Sequence, residues 1–132
     1  MFKKIVYFLP SILIMSVIFY LSSLTSTGIG GSLTVQFLIH KSLHLLVYSV
    51  LSISFYFALS NTTSKNKAHI KTISIFLSFL YGIIDEIHQS FVPGRGAKFT
   101  DTLFDLAGAL LGLYLYKIFR NCQINYHSNR NH

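Results

Sequence analysis

Four apolar runs divide this 132-residue chain, at residues 5–24, 43–60, 72–92 and 101–119. Each is close to the ~20 residues that an α-helix needs to cross the ~30 Å hydrocarbon core of a bilayer. Helices and closed barrels alone satisfy their backbone polar groups in hydrocarbon, and continuous apolar runs of this length read as helices. The expected fold is therefore all-α, a four-transmembrane-helix bundle. Composition agrees, because 52% of the residues are hydrophobic and 11% are charged, too few polar groups to cover a water-soluble globule.

The first run follows Lys3 and Lys4. It exceeds the apolar region of about 7–15 residues in a signal peptide and lacks a small-residue cleavage motif, so it reads as a retained helix. Pro10 falls in its second or third turn, where packing tolerates a kink. The polar, glycine-containing stretch Thr25–Thr34 reads as a loop. Lys41 and His44 stand at the entry of the second run, and Asn61–Lys71 reads as a basic linker to the third. Pro93 and Gly94 end the third helix, since the residue before proline disfavours helical geometry. Thr100 is placed to cap the fourth helix, with Asp101 set favourably against its dipole. Residues 1–120 thus read as one transmembrane domain. Residues 121–132, rich in Asn, His and Ser, read as a polar, disordered tail. Cys122 is the sole cysteine, which excludes an intramolecular disulfide and a cysteine metal site.

Basic residues set the orientation. With four spans, Lys3, Lys4, Lys65, Lys67, Lys71, Lys117, Arg120 and Arg130 share one side, and Lys41, Arg95 and Lys98 the other. Eight against three places both termini in the cytoplasm by the positive-inside rule. The formal charge of +7 is then accounted for by orientation and anionic lipid, and nucleic acid is not an expected partner.

Against this apolar background the four acids, Asp85, Glu86, Asp101 and Asp105, all fall within 21 residues. Carboxylates at membrane depth are expensive and mark a site by default. Helical spacing puts Tyr81, Asp85, His88 and Gln89 on one face of the third helix. It does the same for Asp101, Asp105, Gly108 and Gly112 on the fourth, and for Lys41, His44 and Tyr48 on the second. Ser22 and Ser23 complete the ring from the end of the first helix. These stripes meet at the extracytoplasmic end, so one polar pocket is expected there, with Lys41, His44, Tyr48, Asp85, Glu86, Gln89, Arg95, Asp101 and Asp105 as candidate ligand-binding residues. Arg95, between Gly94 and Gly96, suits bidentate recognition of a phosphate or carboxylate; its alternative is an internal ion pair with Asp85, Glu86 or Asp101. Asp101 and Asp105 could be catalytic or could bind a cation, with a role only as caps and inter-helix hydrogen-bond partners as the competing reading. Gly108 and Gly112 allow close approach of a neighbouring helix, in this chain or in a second copy of a homo-oligomer. His44 and His88 do not have a known metal spacing, so neither a metal nor another cofactor is expected.

The blocks Phe19-Tyr20-Leu21-Ser22-Ser23, Lys41-x-x-His44-x-x-x-Tyr48, Asp85-Glu86-x-x-Gln89-x-Phe91-x-Pro93-Gly94-Arg95 and Asp101-x-x-x-Asp105-x-x-Gly108-x-x-x-Gly112 resemble the VanZ-like family. That family is named for a teicoplanin-resistance protein of bacteria. One departure is Asp105, where the family more often carries asparagine. The resemblance implies a small multi-pass protein of the bacterial cell membrane, linked to glycopeptide tolerance or to envelope lipids. Its expected partner is a membrane lipid, a lipid-linked envelope precursor or a lipophilic glycopeptide. The alternative is an intramembrane enzyme acting on a lipid-linked substrate, with Asp85 or Glu86 as general acid/base and His88 or His44 as proton shuttle. No nucleophile elbow, metal signature or phosphate loop ranks catalysis above binding. A proton- or ion-coupled carrier draws on the same acids, but four short helices make it narrow.

Overall fold

The computed structural model describes residues 2–24 and 33–130, and these are helical apart from short turns. A helical turn, Phe2–Ile5, and a 3-10 turn, Val6–Phe8, lead into α1, Leu9–Ser23. Then come α2, Leu33–Thr62, α3, Lys67–Ser90, and α4, Phe99–Arg130. The described residues include no strand.

Several boundaries depart from the sequence reading. Pro10 lies in the first turn of α1, not in its interior. Its missing N–H has no intrahelical partner to lose there, and the chain ahead of it tightens to 3-10 geometry instead of kinking. Most of the expected Thr25–Thr34 loop, residues 25–32, lies outside the described residues, but Leu33 and Thr34 are already helical. α2 therefore begins ten residues before the expected start at 43, and Lys41 and His44 sit inside it. Hydropathy ends a span at a charge; here the Lys41 ammonium is neutralised by Asp101, so the helix continues through it. The Asn61–Lys71 linker shrinks to residues 63–66, with Asn66 capping α3 by accepting from Ala68 N at 3.0 Å. α4 starts at Phe99, which moves Thr100 from the cap into the first turn. The tail expected to be disordered continues α4 to Arg130. It contains neither Pro nor Gly, and extending an existing helix costs far less than starting one.

Three helical stretches are long and apolar enough to cross a membrane: Val6–Ser23, Thr34–Thr62 and Phe99–Gln123. α3 has the length but carries its polar residues inward. Its buried residues are Ile70, Ser74, Ser78, Gly82, Asp85, Glu86 and Gln89, whereas Phe76, Leu80, Ile84 and Ile87 are exposed. The inversion is general. Among the described residues, 13 polar or charged side chains are buried against 10 hydrophobic ones, while 31 large hydrophobic side chains are exposed. A water-soluble fold would have the reverse distribution, so the apolar exterior belongs in hydrocarbon.

Inside, the helices meet through small residues and hydroxyls. The largest interface pairs α2 with α4, and α3 packs on both. A side chain at Gly108 or Gly112 would collide with the backbone of Leu45 or Ser49, so these glycines admit α2 of the same chain. Of the two neighbours considered for these glycines, the helix of the same chain is the one that packs on them. Ser49 Oγ donates to Gly108 O at 2.8 Å, and Ser52 Oγ to Ala109 O at 2.9 Å, fastening the same contact. Ser11 and Ser54 join α1 to α2 by a buried hydroxyl pair at 2.8 Å. Two apolar clusters fill the remaining space: Ile18, Tyr48, Leu51 and Phe55 on the α1 side, and Tyr56, Ile70 and Leu113 on the α4 side.

Candidate functional site

The helical register brings all four acids to one end of the bundle, each at most 5% exposed. Asp101 and Asp105, one turn apart on α4, face Lys41 and His44, nearly one turn apart on α2. The Lys41 ammonium is buried, pairs with Asp101 Oδ1 and donates to Thr100 Oγ1 at 3.2 Å. His40 Nε2 approaches Asp101 Oδ2 at 3.2 Å, and His44 Nε2 lies 4.0 Å from the same oxygen. The other ring nitrogen of His44, Nδ1, is 2.7 Å from Asp105 Oδ1. Lys41 and His44 thus each hold one aspartate, and Lys41, read from the sequence as standing at the entry of its span, forms an interior ion pair.

α3 supplies the other two acids. Asp85 Oδ2 accepts from Gln89 Nε2 at 2.8 Å, an i,i+4 pair on one helical face. Glu86 Oε2 accepts from the backbone N–H of Lys98 at 2.8 Å, which ties the α3–α4 turn back to α3. That turn is made by Gly94, whose φ of +80° suits a residue without Cβ. It carries Arg95 to the mouth of a cavity of about 350 Å³ between α1, α2 and α3. The wall is apolar along Val17, Ile18, Leu21, Leu43 and Val47. Its polar end is formed by Ser22, His40, His44, Tyr48, Asp85, Gln89 and Arg95. Among the described residues the ion pairs use Lys41, His40 and His44 only, so the internal pair considered for Arg95 is not formed.

Two expected members of the cluster point elsewhere. His88 Nε2 is 3.0 Å from Ser23 Oγ, and its ring packs on Phe19 with centroids 4.3 Å apart, so it closes α3 on α1. Its Nε2 is thus engaged by Ser23 and not by one of the four acids. Tyr81 donates to Met15 O at 2.6 Å and is a helix-to-helix tie. Other participants escaped the sequence reading. His40, one turn before His44, lies on the stripe already read and was legible from its spacing. Gly82 was legible too, in the run Ser74-x-x-x-Ser78-x-x-x-Gly82-x-x-x-Glu86. A Cβ there would lie 2.7 Å from Asp105 Oδ2, so Gly82 leaves the room in which the Asp105 carboxylate sits. The Lys98 amide had no sequence signal.

The model of the VanZ/LLP1 family matches residues 2–120, which contain every residue of this site. The chain belongs to that family. No curated protein and no solved structure matches it. In this VanZ/LLP1 protein the family region covers all four helices and stops within α4, leaving the helical continuation to Arg130 outside it. The arrangement offers a half-buried cation, Arg95, at the mouth, an apolar wall beside it, and carboxylates with imidazoles beneath.

Proposed function

We propose that this VanZ/LLP1 protein is a four-span binding module of the bacterial cell membrane, with both termini cytoplasmic and the acidic end extracytoplasmic. Its pocket takes the polar group of a membrane lipid, a lipid-linked envelope precursor or a lipophilic glycopeptide, and so lowers teicoplanin action at the membrane surface. The observation that carries the reading is the cavity itself: an amphiphile's apolar chain fits the Val17-to-Val47 wall while its anionic group meets Arg95. Arg95 is not committed to an ion pair, so its fork can engage two oxygens of a phosphate or carboxylate. An amine on the same ligand is accommodated by Asp85. Four spans are supported by the packing of α3 along both α2 and α4, which leaves its polar face dry and its apolar face outward. The eight-to-three basic count supports the orientation.

The test is expression in a teicoplanin-sensitive bacterium of wild type, Arg95→Ala, Arg95→Lys and an empty control. Tolerance is expected with wild type and lost with alanine; lysine, which keeps charge without the fork, is expected to be intermediate. Equal susceptibility of all four strains excludes the resistance role. Native mass spectrometry of the purified protein separates the sources, showing either a retained anionic lipid or bound teicoplanin.

A further inference from the structure

Three carboxylates in the interior have no Lys or Arg to neutralise them, and among the described residues the only basic group on any of them is the His44 imidazole on Asp105. Asp85, Glu86 and Asp105 are 3%, 5% and 0% exposed, and among the described residues no Lys or Arg forms an ion pair with any of them. Each uses one oxygen, toward Gln89, the Lys98 amide or His44, and each leaves the other buried without a partner: Asp85 Oδ1, Glu86 Oε1 and Asp105 Oδ2. An uncompensated buried charge costs several kcal/mol even after relaxation, so these groups need either protons or a cation. The imidazole among them favours the cation. His44, Glu86 and Asp105 each offer a ligand atom, all within 4.8 Å of one another.

We propose that His44, Glu86 and Asp105 hold one divalent first-row transition cation, Zn²⁺ or Mn²⁺. One nitrogen and two carboxylate oxygens are a donor set that such ions accept, and two carboxylates match the charge of the ion. His44 Nδ1 and Asp105 Oδ1, now 2.7 Å apart, become ligands when the cation replaces the proton between them. The opposite nitrogen, Nε2, faces Asp101, whose carboxylate is fixed by Lys41; a histidine ligand backed by a carboxylate is the usual outer-shell arrangement. Gly82 leaves the space beside Asp105 Oδ2. A second grouping, His40, His44 and Asp101, is disfavoured because the Lys41 ammonium already occupies Asp101. The proposal goes beyond the lipid or drug reading and does not depend on it.

Full-length protein is purified in detergent without a metal-affinity step, stripped with chelator, and titrated calorimetrically with Zn²⁺ and with Mn²⁺. One equivalent of one ion per chain is expected for wild type and for Arg95→Ala. His44→Ala and Glu86→Gln are expected to lose more than the roughly 10- to 100-fold typical of an outer-shell partner. Wild type that binds neither ion saturably overturns the proposal, and so does binding that survives both substitutions. Where a variant does not fold, X-ray absorption of metal-loaded wild type decides: one imidazole with oxygen neighbours supports the site, and two or more imidazoles refute it. Metal content that follows this pattern while teicoplanin susceptibility does not change removes the proposed function and leaves the metal site standing.

Discussion

Alanine at Gly108 is expected to force α2 and α4 apart. Its Cβ would lie 3.0 Å from Leu45 Cα and would overlap the Leu45 carbonyl, both of them backbone atoms in the middle of a 30-residue helix. No rotamer change relieves that overlap; the helices must separate by several tenths of an ångström. Overpacking of this kind costs about 1–3 kcal/mol. Separation also stretches the Ser49–Gly108 hydrogen bond of 2.8 Å, and inter-helix bonds in membranes average ~0.6 kcal/mol. Against these stands the better helix propensity of alanine, worth about 1 kcal/mol. The net expectation is a loss of about 0.5–2.5 kcal/mol, read by reversible denaturation in mixed micelles. Gly112→Ala, whose Cβ would fall 2.8 Å from Ser49 Cα, should behave alike. Gly96→Ala, with nothing within 4 Å, should stay within about ±0.5 kcal/mol. If Gly108→Ala is as stable as wild type, the close α2–α4 approach is refuted.

Lys41→Met strands Asp101 as a buried charge and is expected to cost about 3–5 kcal/mol, with Lys41→Met/Asp101→Leu recovering much of it in the same assay. Ser11→Ala and Ser54→Ala remove one shared bond, so the double variant should lose little more than the worse single, a coupling read by a double-mutant cycle. Cys122 is exposed and on the four-span reading cytoplasmic; an impermeant maleimide should label it in inverted vesicles and not in intact cells, whereas Gly96→Cys should show the opposite.

The helices and the acidic cluster were legible because both follow from local pattern: apolar length sets the spans, and spacings of three and four set the faces. Lys41, His44, Asp101 and Asp105 could be aligned on those faces before any contact was known. Helix ends were less legible, since Lys41 reads as a terminator until Asp101 neutralises it, and that partner is 60 residues away. His88 shows the limit of face arithmetic. It lies close enough to the stripe of Asp85 and Gln89 to be grouped with them, yet its ring reaches Phe19 and Ser23 on α1. Spacing gives the direction of a Cα–Cβ bond and not the neighbour that a long side chain finds. Glu86 was named from its charge, but its anchor is the main-chain N–H of Lys98, a group that every residue except proline carries and that no sequence pattern marks.

The inward polarity of α3 also bears on how the chain enters its membrane. A helix that carries Ser74, Ser78, Asp85, Glu86 and Gln89 partitions poorly into lipid by itself, since five polar residues on one face are costly there, even though the two acids lie near its end and each costs less than the ~2.5–3.5 kcal/mol of an Asp at a helix centre. α4 is apolar enough to partition, and the Glu86–Lys98 bond already closes the turn between the two. On the four-span reading α3 is therefore delivered as half of a hairpin, held back until α4 leaves the ribosome. A chain truncated after Gly96 should leave α3 unprotected in a protease assay of membranes, while one ending after Arg120 should shield it; equal protection of both would show that α3 inserts unaided.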